Sequence, residues 1–136
     1  MFYNILNNSC HKLRTQFIAT SCCLLLCDYW KVRRIIAIIL KNVKKKLERK
    51  RGIIRYVGDK YYNKEGEAEW TMGFPWLAII YRQLGDLENY KGYMKKTVDA
   101  MNSKNELPEL YYSNSEEHND NSPLGWAQSL YIVAAL

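Results

Sequence analysis

Arg55, Asp59, Glu67, Glu69 and Trp70 crowd into one stretch, RYVGDKYYNKEGEAEWTMGFPWLAIIYRQLGD (55–86), with tyrosines and Trp76 interleaved among them. A guanidinium offers a planar fork of donors, and carboxylates accept from hydroxyls. Indole and phenol rings present flat apolar area with a polar tip. Together these groups suit a carbohydrate-binding cleft. The same side chains also furnish ordinary half-buried surface, which is the commoner fate of any single one. Farther along stand Glu109, in LPELYY, and Trp126, in SPLGWAQSLYI. Read alone, Glu109 is equally well explained as a solvated loop acid.

The elements that must position these residues read as helices. Val32, Ile35, Ile36, Ile39, Val43 and Leu47 recur at helical spacing and predict an amphipathic helix over 31–50, ended by Gly52. Residues 53–74 keep no period and hold three glycines, which predicts a long, chemistry-bearing loop. Trp76, Leu77, Ile80, Tyr81 and Leu84 give the next stripe, with Pro75 near its start and Gly85 closing it. On that stripe Trp76 serves the core as readily as a ligand. Tyr90, Tyr93, Met94, Val98 and Met101 give a third helix. A polar loop follows over 102–121. Ser122 and Pro123 then read as an N-cap and first-turn proline for a last helix through Trp126, Leu130, Tyr131 and Ala134. Nothing alternates as a strand would, so the expected class is all-α: helical hairpins with large loops at one end.

The bulk numbers agree with one ordinary domain. The 136 residues are 48% hydrophobic and 25% charged, which excludes a disordered chain. The net charge of +6 is unevenly spread: residues 1–60 hold 14 Lys and Arg against three acids, whereas residues 61–136 hold six against 11. The basic run KVRRIIAIILKNVKKKLERKR (31–51) has the make-up of a nucleic-acid or membrane-surface binder, but more often such a run is one solvated helix face. With no helix-turn-helix or zinc-finger pattern beside it, neither nucleic acid nor membrane is expected as a partner. Cys10, Cys22, Cys23 and Cys27 form no C-x-x-C, even with His11 beside Cys10, so the expectation is buried or free thiols in a reducing compartment, with no metal or cofactor. FIATSCCLLLC (17–27) is too short to span a bilayer and lacks a cleavage site, which favours the cytoplasm. Asn7-Asn8-Ser9 is a glycosylation sequon by pattern alone.

Four segments carry a more specific signal. RYVGDKYY (55–62), EAEWTMGFPWLAI (67–79), LPELYY (107–112) and SPLGWAQSLYI (122–132) resemble, in order and spacing, the C-terminal part of the glucoamylase-type hydrolases of glycoside hydrolase family 15. The likeness covers about residues 40 to 136 and is nearest to the branch with glucoamylases, glucodextranases and some trehalases. It implies an (α/α)₆ barrel, of which this chain holds about a third, with residues 31–136 as the C-terminal part and 1–30 as a divergent segment. It implies inverting hydrolysis of terminal α-glucosidic bonds, which needs two carboxyl groups roughly 6.5–9.5 Å apart. By the resemblance Glu109 is the general base. Arg55, Asp59, Trp76 and Trp126 are substrate-binding, and Glu67, Glu69 and Trp70 stand at a cleft edge.

The family's general acid has no counterpart: Asp28 is the only acid before residue 48, and LCDYWK does not resemble the acid's motif. The expectation is a fragment or remnant of an α-glucosidase that binds an α-glucoside or oligosaccharide and is inactive alone. It would fold marginally, self-associate, or complement an N-terminal barrel-half chain. The alternative is a non-catalytic carbohydrate-binding or regulatory module.

Overall fold

The computed structural model describes residues 16–136, with side chains from residue 30 onward. Cys10, His11 and the Asn7-Asn8-Ser9 sequon lie outside the described residues. So do the side chains of Cys22, Cys23 and Cys27. The described residues are mostly helical: α1 (Gln16–Lys46), α2 (Gly73–Gln83), α3 (Leu87–Asp99) and α4 (Gly125–Ala135), with two short strands, β1 (Glu69–Trp70) and β2 (Leu110–Tyr111). The chain divides into two units, 1–39 and 40–136, the boundary falling within α1.

α1 is longer at its start and shorter at its end than the apolar period predicts. It stops at Lys46, and Gly52 lies beyond it in a turn that the Glu48–Ile53 bridge closes. Gly52 is needed there for another reason. A Cβ on it would lie 2.5 Å from the Trp70 carbonyl oxygen, so only glycine lets this turn press against β1.

The unit 40–136 is built round α2 and α3, a hairpin that turns at Gly85. Gly85 adopts φ +77°, and its N–H and that of Asp86 return to the carbonyls of Arg82 and Tyr81. This is a left-handed helix stop. Asp86 then caps α3 by accepting from the Asn89 N–H at 3.1 Å. Phe74, Leu77, Ala78 and Tyr81 of α2 are buried, as are Tyr93 and Thr97 of α3. The Tyr81 and Tyr93 rings stack 5.3 Å apart, with Phe74 against Tyr93. The inward position of α3 is Thr97 rather than Val98. The Thr97 hydroxyl donates to the Tyr93 carbonyl within the helix, and Val98 is half exposed. Trp76, Ile80 and Leu84 complete the α2 stripe only in part, since Trp76 points outward and is 48% exposed.

The strands are a departure from the all-helical reading. β1 and β2 pair antiparallel, Glu69 opposite Tyr111 and Trp70 opposite Leu110, and Ile53 bridges to Trp70 on the other side. Two-residue strands are too short to show alternation. Ser122 is not an N-cap: its hydroxyl donates to Glu106 and accepts from Asn102. α4 starts at Gly125 instead, with no side-chain cap on Leu124.

Candidate functional site

The segment 107–109 is where the motifs meet. Thr71, just ahead of α2, donates its N–H to the Glu109 carbonyl at 3.3 Å and its hydroxyl to the Pro108 carbonyl. On the other side, the Glu109 N–H donates to the Asn121 carbonyl at 2.9 Å, and the Leu124 N–H to that of Leu107 at 2.8 Å. Leu107, Pro108 and Leu110 are fully buried, so Glu109 is presented from a rigid backbone.

The Glu109 carboxylate is partly buried and held at one oxygen. Its Oε2 accepts from the Asn119 Nδ2 at 2.6 Å and the Asn121 Nδ2 at 2.7 Å. Among the described residues no protein donor reaches Oε1. Two carboxamides thus fix the orientation of the group and leave its second oxygen available to a hydroxyl or a water. Asn119 is itself buried, and its Oδ1 has no protein partner.

A second cluster forms around Arg55. Its Nε and Nη2 bond both oxygens of Asp59, at 2.7 and 2.9 Å, in a bidentate pair. Asp59 is buried, and the Arg55 guanidinium beside it holds its carboxyl down at about 2, with the Tyr61 N–H contributing a further bond. In return the same bond pushes Arg55 above its ordinary value. With both oxygens engaged, Asp59 is suited to aiming Arg55 rather than to exchanging protons. The guanidinium lies 4.7 Å from the Trp70 ring centroid and 4.9 Å from that of Tyr61, and those two rings stack on each other. Tyr62 meets Tyr61 edge-on at 4.6 Å and lies near Tyr112. Tyr62 adopts φ 53°, uncommon for an aromatic residue and costly unless its surroundings hold it.

The two clusters are neighbours. The Tyr61 hydroxyl is pushed above its ordinary value by burial first, then by Tyr62 and by the charge of Glu109. Arg55 lies over the Trp70 ring, and Trp70 pairs with Leu110 next to Glu109, so the two clusters are adjacent although Arg55 and Glu109 lie 54 positions apart in the chain. Pairing of β1 with β2 brings them together.

The remaining expected site residues divide. Trp76 and Trp126 occupy the first turns of α2 and α4, both more than 45% exposed, with ring centroids 6.0 Å apart. They form an open indole pair, each on a helix anchored to the 107–109 segment. Glu67 accepts from the Gly58 N–H at 3.0 Å, which draws its carboxyl below the usual range, and lies 4.0 Å from Arg49. It fastens the 55–67 loop. Glu69 is interior rather than at a cleft edge: it is 2% exposed and accepts from the N–H groups of Arg51 and Asn114. Trp70 is interior too, packed with Ala68 and Leu110, so only the ring that faces Arg55 and Tyr61 bears on the site.

No known family and no curated protein matches this chain. The site therefore rests on its own geometry. Asn119 and Asn121 carry no signal of their own in the polar run SEEHNDNSP; only the fold shows that both reach Glu109. Tyr61 and Tyr62 lay within RYVGDKYY but had no reason to be preferred over its other residues. Among the described residues no three His, Cys, Asp or Glu side chains cluster as metal ligands, and no helix is long and apolar enough to cross a membrane.

Proposed function

We propose that residues 40–136 carry the general-base side of an inverting α-glucosidase site of the glucoamylase type, within a portion of an (α/α)₆ barrel. The observation that carries this reading is Glu109: one oxygen clamped by two carboxamides, the other open, beside an Arg55 aimed by a locked Asp59. An inverting hydrolase needs a carboxylate that orients a water with its free oxygen while the other is held still. Arg55 would donate to sugar hydroxyls, the Tyr61 and Tyr62 rings would border the sugar, and the Trp76–Trp126 pair would offer a face for stacking. The protonating acid has no counterpart within these 136 residues and would have to come from outside them. This chain then binds an α-glucoside without cleaving it.

Calorimetric titration of the pure chain with an acarbose-type inhibitor tests the reading. Weak saturable binding that Trp126→Ala and Glu109→Gln both diminish is expected, with no glucose released from maltose or trehalose. Absence of binding would remove the sugar-site reading, and glucose release would remove the base-only one.

A further inference from the structure

We propose that α1 docks on an anionic lipid surface, lying in the headgroup region rather than crossing the bilayer. Along Gln16–Lys46 the helix carries seven Lys and Arg against one acid, Asp28. Arg34, Lys41 and Lys45 fall within about 40° of one another on the helix, at 3.6 residues per turn. Val32, Ile35 and Ile39 fall within about 60° of one another on a different face. All three are more than half exposed. Ile38, also exposed, sits on the flank. The helix ends on Lys44, Lys45 and Lys46.

A row of exposed β-branched apolar side chains with a cationic face across the helix from it is the make-up of a helix that lies in a membrane interface. The apolar row enters the acyl boundary, and the lysine and arginine stems reach up to phosphates. The charge selects the partner. A second copy of α1 would cover the apolar row but give the cations no counter-charge. Nucleic acid would satisfy the cations but gain nothing from Val32, Ile35 and Ile39. Only an anionic lipid surface uses both faces. No described helix is long and apolar enough to cross a membrane, which agrees with an interfacial position.

The experiment is co-sedimentation of the full chain with phosphatidylcholine vesicles, and with vesicles of phosphatidylcholine and phosphatidylserine in about a three-to-one ratio. Uptake by the anionic vesicles alone, falling as salt rises, is expected. Each cation near such a surface contributes about fivefold in partitioning. Arg34→Gln, Lys41→Gln and Lys45→Gln together should therefore weaken uptake on the order of a hundredfold. Ile35→Ser with Ile39→Ser should weaken it by at least about tenfold at unchanged charge. A short DNA duplex serves as the competing ligand. Equal uptake by neutral vesicles, or none by anionic ones, would overturn the proposal. So would duplex binding that is stronger than vesicle binding and indifferent to the isoleucine substitutions. The salt titration uses the unaltered chain, so it decides the matter even if a variant loses helicity.

Discussion

Replacing Gly52 by alanine tests how β1 is held. The added Cβ would stand 2.5 Å from the Trp70 carbonyl oxygen and 2.6 Å from the carbonyl carbons of Glu69 and Trp70. Ordinary contact begins at 3.4 Å, so the turn must retreat by nearly an ångström, and the obstacle is backbone that cannot rotate away. That retreat strains the two Ile53–Trp70 hydrogen bonds, each 3.0 Å, and the one from the Arg51 N–H to Glu69. Overpacking of this kind costs about 1–3 kcal/mol, and each weakened hydrogen bond adds about 1 kcal/mol. A loss of about 4–6 kcal/mol follows. For a unit of this size that lowers Tm by at least about 16 °C. Gly92→Ala is the control: it lies inside α3 with nothing within 4 Å of the new Cβ, and should gain about 0.5–1 kcal/mol from helix propensity. Circular dichroism melts of both variants against the parent give the answer. If Gly52→Ala melts with the parent, the close approach of turn and strand is wrong, and Gly52 does no more than follow a helix.

Acid should also find the Arg55–Asp59 pair. Asp59 is held at about 2 against an ordinary 3.8, so its contribution is complete above about pH 4 and is lost as pH falls toward 2. Asp59→Asn should lower stability at neutral pH and flatten that acid limb in urea titrations run at a series of pH values. An unchanged limb would count against the pair. Tyr93→Phe removes the hydroxyl that donates to Glu48 at 2.8 Å while Lys96 keeps its own bond to Glu48. The expected loss is about 1–2 kcal/mol by urea unfolding, and no loss would mean that Glu48 is solvated instead.

The helices were legible where a single physical rule governs them. Gly85 follows α2 and takes the left-handed conformation that a helix stop needs, so its position alone marked the end. Tyr93 followed from spacing. Val98 lies one residue off the buried face of Tyr93 and Thr97, and the Thr97 hydroxyl, satisfied within the helix, is buried without cost to its polar group. Gly52 was misread as a helix stop because a glycine required for close backbone approach has the same letter as one required for a positive φ. The β1–β2 pairing left no trace, since two residues cannot alternate, yet it joins Trp70 to the strand that follows Glu109. The candidate site was legible in its charged members, Arg55, Asp59 and Glu109. The carboxamides of Asn119 and Asn121 were not, because their role depends on a loop returning to residue 109. Glu69 sits in a motif rich in acids, and only the fold shows that it is spent on backbone N–H groups.

The most direct test of the account watches the site itself. In ¹H–¹⁵N spectra, the side-chain amides of Asn119 and Asn121 report on Glu109 Oε2, and the Arg55 Nε–H reports on Asp59. Titration with an acarbose-type inhibitor should move all three together along one saturation curve, with the indole signals of Trp76 and Trp126 following. If the inhibitor saturates the chain while these amides stay fixed, or leaves every signal unmoved, Glu109 and Arg55 do not form a sugar site.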